Sequence, residues 1–438
     1  MRPEIERGLN VVVHDIDEAA LLRLHPSGPT IQLPPDLQRP LLPRSLKGHS
    51  FSGTTFHAAV SGGNSSMETR ELFLDDLLIN WAYEAGQGSP DPARISGASL
   101  NLEPRAAARF FAGTEPAVDL SVDGRHLWPV DLSVLDALDS AFDPDLLGGT
   151  TIAALPYSSH FSDEWGARGR IRDSDLERTC LDLHFDTPRS LDEAREVLVA
   201  AQTLLEAVGG IGLDAVRELW VFSSDPEHPD ERVHCEWWSR SVFGEAARSS
   251  WMGLRREVGM VGKLDVHSIG GLGGVLSWMR LCHAVPFLVS VLRSEHRALT
   301  QDRRTRISTL AIAWEHLAHW LQSTGATKTS TTTDTIVELV EPLLTAGTTF
   351  RPLVELSWNT NNEIKHVALR KIRNARTPLR RGDADGHDYL AHFMYATLMI
   401  ASLKAAGMTA AAQSLTLELE DFGPFGSAWL SLVQAYTK

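Results

Sequence analysis

The spacing of apolar residues changes along this chain, and that change limits the fold more than any other feature. Up to about residue 240 the apolar stretches are short and broken by Gly, Pro, Asp and Ser, as in "LNVVVHDI", "FSGTTFHAAVSGG", "ISGASLNL", "PAVDLSVDG" and "TCLDLHFDTP". Short apolar runs between turn residues read as strands. In the last of them Cys180, Asp182, His184 and Asp186 alternate with Leu181, Leu183 and Phe185, the period of a half-buried strand. One helix, at about 189–208, interrupts this texture in "TPRSLDEAREVLVAAQTLLEAVGG". Ser190 is its N-cap, Glu193 follows three residues later, and Gly209 stops it. Leu191, Ala194, Leu198, Ala201 and Leu205 form its apolar stripe. "LDAVRELWVFSSD" then reads as another strand.

After about residue 265 the period lengthens to that of helices. "GGVLSWMRLCHAVPFLVSVLRSEH" and "DRRTRISTLAIAWEHLAHWLQSTG" are long periodic segments, the second with Ile307, Leu310, Trp314, Leu317 and Leu321 on one stripe. "QSTGATKTSTTTDT" reads as a polar loop, and "DTIVELVEPLLTAG" as a short helix bent or shortened by Pro342. "LVELSWNTNNEIKHVALRKIRNA" is the next long helix, and "HDYLAHFMYATLMIASLKAAG", closing at Gly407, is expected to be the last. The expected fold class is therefore α+β: a β-rich domain over 1–240, a join at 241–268, and an all-α helical bundle over 269–438. No internal repeat is evident.

The chain has 438 residues and a formal charge of −15, which argues against a general nucleic-acid coat and leaves room for a local basic site. Cys180, Cys235 and Cys282 are odd in number and form no CxxC, so neither a disulfide framework nor a zinc site is expected. The charged "MRPEIERG" is not a signal peptide, and no apolar run reaches the roughly 20 residues of a membrane span. A soluble cytoplasmic protein without cofactor or metal is the expectation.

On this acidic chain, the segment from Lys365 to Arg381 carries seven Lys/Arg and no Asp/Glu. In its helix Ile364, Ala368, Ile372 and Ala375 fall on one side, while Asn362, His366, Arg370 and Arg373 fall on the other within about 80°. One reading is a solvated face whose cations suit a helix C-terminus. The other is a phosphate-binding strip, since Arg forks two donors onto a phosphate.

The bundle resembles a HEPN domain of the ApeA-like kind, in which a helix ends in Arg-Asn-x-x-x-His, a short polar loop follows, and a final apolar helix closes the domain. "LRKIRNARTPLRRGDADGHDYLAHFMYATLMIASLKAAGM" is similar in layout from Leu369 to Met408. Arg373 and Asn374 match the Arg-Asn pair, Thr377 matches a frequent Thr, and Pro378 stands where the His belongs. "CLDLHFDTPRSLDEAREVLVAAQTLLEAVGGIGLDAVRELWVF" resembles the β-rich domain that precedes the bundle in this family. The resemblance implies metal-independent RNA cleavage at a homodimer interface within anti-phage defence, with a phage-derived trigger acting on the N-terminal domain. It implies that Arg373 clamps the scissile phosphate and that Asn374 orients the motif. Arg370, Arg376, Thr377, Arg380 and Arg381 would bind RNA, tRNA or another cellular RNA, around them.

Pro378 cannot move a proton. Loss of a general acid or base typically costs about 10²–10⁴ in rate. His366 shares the face of Arg373 but lies about 10 Å along the helix, so it would have to act from a partner protomer. Alternatively the motif shifts to "NNEIKH", retaining Asn362 and His366 with Asn361 in place of the Arg. The resemblance therefore leaves two outcomes open: an endoribonuclease with an altered site, or an inactive module that binds RNA or a protein and signals by dimer rearrangement.

Glu315, within "LAIAWEHLAHWL", either orients a motif Arg or sits on the bundle rim. His316 and His319 have metal spacing without the partners of a metal motif, and "GLGG" at 271–274 lacks the Lys-Ser/Thr of a phosphate loop. "CEWWSR" at 235–240 offers a stacking surface or, the commoner use, core packing.

Overall fold

The computed structural model describes residues 9–25, 28–34, 44–50, 54–65, 70–80, 91–102, 110–111, 140–156, 179–209, 216–224, 232–239, 265–297, 303–345, 350–373 and 384–422, with only the backbone at some of these positions, 366–373 among them. "PAVDLSVDG" lies outside the described residues. The fold class is α+β. Twelve strands are described: β1 Leu9–Val13, β2 Glu18–His25, β3 Gly28–Leu33, β4 Ser45–Ser50, β5 Thr55–Ser65, β6 Arg70–Asn80, β7 Ile95–Leu102, β8 Ala141–Asp143, β9 Thr150–Pro156, β10 Thr179–Arg189, β11 Val216–Ser224 and β12 Arg232–Ser239. Their order is β3-β2-β1-β4-β5-β6-β12-β11-β7-β10-β9-β8, and a further β3–β6 pairing closes the first six into a barrel.

Strand β6 makes that closure possible. One edge pairs with β5 from Arg70 to Asn80. The other is divided, Arg70–Phe73 pairing with β3 and Asp76–Ile79 with β12. A strand has two edges, so β6 joins a closed barrel to an open sheet only by sharing one of them. Alternation then fills the barrel with Val11, Val13, Leu22, Ile31, Leu46, Phe56, Leu72 and Leu74. Gly48 is required inside: a Cβ there would lie 2.3 Å from the Val12 carbonyl oxygen.

The open sheet buries polar groups in pairs. Ser99 donates to Asp182 at 2.6 Å, and both are fully buried. Asp76 accepts from Trp237 Nε1 at 3.0 Å and pairs with Arg195. Helix α1, Leu191–Gly209, starts with the expected capping box: Glu193 N donates to Ser190 Oγ, and Ser190 N donates to Glu193 Oε2.

Seven more helices are described: α2 Gly271–Ala284, α3 Pro286–Arg297, α4 Arg303–Ser323, α5 Thr332–Val340, α6 Arg351–Arg373, α7 Ala384–Ala405 and α8 Thr409–Phe422. Two expectations are corrected. The first long segment is two helices, α2 and α3, bent by 104°. Pro286 lacks an N–H, and Val285 before it leaves helical geometry at φ −129, ψ 69. Gly407 ends the chain of α7 in a left-handed turn at φ 83, but α8 follows it, so α7 is not the last helix. Pro342 acts as expected, turning the end of α5 into a 3-10 turn at Glu341–Leu343.

The chain divides into two compact units that do not follow the linear boundaries 1–240 and 269–438: Met1–Ala107, Val118–Val199 and Leu213–Ala246 form one, and Ala108–Ala117, Ala200–Gly212 and Ala247–Lys438 the other. Helix α7 is buried almost all round in the second unit, from Leu390 through Met394 to Leu403. Trp314 on α4 is fully buried and donates to the Met394 carbonyl at 3.1 Å, and Phe350 and Phe393 lie 5.6 Å apart. No single described helix is long and apolar enough to cross a membrane.

Candidate nucleic-acid interface on helix α6

Helix α6 has two faces. Leu353, Val354, Ser357 and Asn361 are buried, a stripe that Ile364 continues half-buried. On the opposite side of the helical wheel come Asn362, His366, Arg370 and Arg373. The helix is continuous to Arg373, so these positions form one row on one rigid element. The side chains of His366, Arg370 and Arg373 lie outside the described set. Asn374, Arg376, Thr377, Pro378, Arg380 and Arg381 lie outside the described residues altogether.

Between the two faces runs a rim. Lys365 Nζ is 3.8 Å from Glu315 Oε1 on α4, with both side chains more than 40 % exposed (42 % and 43 %). The same ammonium lies 5.9 Å from the ring centre of half-buried Trp358, about two turns back on the helix. Glu315 therefore occupies the bundle rim, and its described partner is Lys365. Sequence reasoning singled out Glu315 and missed Lys365; the signal was that Lys365 opens the acid-free basic run. An exposed pair of this kind contributes about 0.2–1 kcal/mol and competes weakly with an incoming phosphate.

The shifted motif register meets a physical obstacle. Asn361, which would stand in the clamp position, is fully buried, and neither its Oδ1 nor its Nδ2 has a hydrogen-bond partner among the described residues. It faces away from any phosphate in solvent. Asn362, beside it, is half-exposed and could reach a ligand.

The remaining candidates resolve into structural roles. His316 and His319 are exposed, and His316 lies 5.2 Å from the Phe287 ring. Among the described residues no three His, Cys, Asp or Glu are gathered to hold a metal ion. Trp237 is core, 1 % exposed, and Trp238 packs against the barrel interior. All three cysteines are buried and unbridged. Burial pushes the Cys235 and Cys282 thiols far up, so neither supplies a thiolate.

Such a site can bind by charge and by forked donors along the α6 row. No family model matches the chain, no curated protein matches it, and no solved structure matches it.

Proposed function

We propose that the helical unit acts on RNA through the basic row of α6, as a HEPN-type module of an ApeA-like, two-part anti-phage defence protein. One observation carries the reading: α6 is helical without interruption from Arg351 through Arg373, which aligns the acid-free basic positions opposite a buried stripe. The order of elements supports it, since the apolar helix α7 begins at Ala384, shortly after the motif. In this reading Arg370 and Arg373 neutralise phosphate, Asn374 orients the motif, and Arg376, Thr377, Arg380 and Arg381 extend the contact along the chain. His366 of a partner protomer would move the proton that Pro378 cannot. The partners are cellular RNA, a second copy of the chain, and a phage-derived trigger on the sheet unit.

A second reading has specific support. Pro378 removes the proton carrier of one register, and the burial of Asn361 removes the clamp of the other. Both favour a module that binds RNA or a protein partner without cleaving it.

Incubation of purified protein with tRNA and with a long single-stranded RNA in EDTA separates the two, with Arg373→Ala and His366→Ala beside the wild type. Cleavage lost in either variant supports the metal-independent nuclease. RNA binding without cleavage, at high protein concentration, supports the binding module. Absence of both RNA binding and RNA cleavage overturns the nuclease and the RNA-binding module alike.

A further inference from the structure

Building on the RNA reading of α6, we infer that Trp358 is a stacking platform for an unpaired base, so that the site takes single-stranded RNA in preference to duplex. Trp358 is half-buried on α6. Asn362 follows it by about one turn and Lys365 by about two, so at about 100° per residue the three lie within about 60° of one another. This edge of the helix flanks the buried stripe of Val354, Ser357 and Asn361. Partial burial anchors the indole in the bundle and leaves part of it at the surface, between polar neighbours.

The ring is loosely occupied. Lys365 Nζ lies 5.9 Å from its centre, close to the limit of about 6 Å at which a cation over a ring is still attracted. The same ammonium is 3.8 Å from Glu315 Oε1, and both of these side chains are well exposed. Two weak, solvent-screened contacts therefore hold Lys365, and it can leave both without disturbing the core. A nucleotide offers a replacement for each. Its base covers the indole, and its phosphate takes the ammonium in place of the carboxylate.

Charge sets the direction of the strand. Glu355, exposed one turn before Trp358, repels phosphate on that side, and Glu363 lies about 140° round the helix from the ring. From Lys365 to Arg381 the chain has seven Lys/Arg and no acid. A strand anchored at Trp358 therefore runs toward the C-terminal end of α6. Half-exposed Asn362, one turn on, carries an amide donor and acceptor for a base edge. Bases in a duplex have both faces covered by their neighbours, and only unpaired ones can be splayed onto a side chain.

The test measures the affinity of the full chain for a labelled single-stranded RNA and for a duplex of equal length, with Trp358→Leu, Trp358→Phe and Arg373→Ala beside the wild type. The wild type should prefer the single strand. Trp358→Leu should lose about 5- to 100-fold in single-strand affinity and little in duplex affinity, while Trp358→Phe, which keeps a ring, should retain most of it. The salt dependence should stay the same in both Trp358 variants, because no phosphate contact is removed. Unchanged single-strand affinity in Trp358→Leu, with Arg373→Ala weakened, would overturn the platform and leave the basic row standing. Equal loss toward single strand and duplex, or altered self-association with unchanged RNA affinity, would overturn it in favour of a packing or protein contact. No binding of either RNA by the wild type would overturn the platform and the RNA reading together.

Discussion

Helices α6 and α7 are nearly equal in length and adjacent in sequence, yet they are built to opposite plans. Helix α7 is buried on nearly every side from Leu390 to Leu403. Helix α6 buries one stripe, places an ion pair on its rim, and has Arg370 and Arg373 at backbone positions opposite the buried stripe near its C-terminal end. A helix apolar all round is core, and one with a single buried stripe keeps a face for a partner. Loss of function should therefore separate cleanly from loss of fold. Changes on α7 should cost stability, and changes on the outer row of α6 should cost binding.

The largest effect that would break this contrast is on the α7 side. Phe393→Ala removes a fully buried ring and should destabilise the protein by about 3–5 kcal/mol in urea unfolding, and Trp314→Ala should behave alike. Arg373→Ala, by comparison, should shift stability by under about 0.5 kcal/mol. It should flatten the dependence of RNA affinity on salt by about 0.7 in log–log slope, the loss of one phosphate contact to a single strand.

Asn361 sharpens the contrast within α6. Its buried amide has no hydrogen-bond partner among the described residues, and an unsatisfied buried polar group costs about 1–3 kcal/mol. Asn361→Leu should raise Tm, against the usual sign of a core substitution. A fall in Tm would mean that the amide is bonded in solution, by a water or a ligand.

Smaller still is the rim. Glu315→Gln breaks an exposed pair, so unfolding should change by at most about 1 kcal/mol. RNA affinity should rise modestly as Lys365 is released, and an unchanged affinity would place Lys365 outside the interface. The smallest effect lies at the start of α6, where Arg351 Nη1 binds Asp334 Oδ1 at 2.8 Å on the surface. The hydrogen bond from Arg351, with one from Thr331, holds the Asp334 carboxyl below its usual value of 3.8. A depressed carboxylate stabilises the fold above its unfolded pKa, and that contribution disappears as pH falls through its folded value. Arg351→Ala should therefore weaken the protein slightly at neutral pH and not at all in strong acid, with salt narrowing the gap. Acid unfolding curves at low and high salt read this directly.

Local features were legible in the sequence because local residues determine them. The capping box of Ser190 and Glu193, the stripe of α4 and the turn at Pro342 all follow from neighbours a few residues apart. The half-buried alternation expected over Cys180–Asp186 is corrected: Cys180 and Asp182 are as fully buried as Leu181 and Leu183, and only His184 and Asp186 reach solvent. The barrel was not legible: β3 meets β6 across some 40 residues, and nothing in either strand marks the divided edge. The break at Pro286 carried its own signal, and periodicity on both sides hid it. In the candidate interface, Ile364 continues the buried stripe as the wheel predicts, and the side chains of the outer row beyond Asn362 lie outside the described set. The Glu315–Lys365 pair and the burial of Asn361 depend on α4 and the bundle, which no wheel contains.

The claim that α6 presents an RNA-binding row is tested most directly by the affinity of a short single-stranded RNA, measured by fluorescence anisotropy between about 50 and 200 mM salt. The wild type and an Arg370→Ala, Arg373→Ala double variant would be compared at equal Tm. The account predicts steep weakening with salt in the wild type and a shallower line with lower affinity in the variant. Superimposable lines for the two proteins, or no binding at the lowest salt, would contradict it.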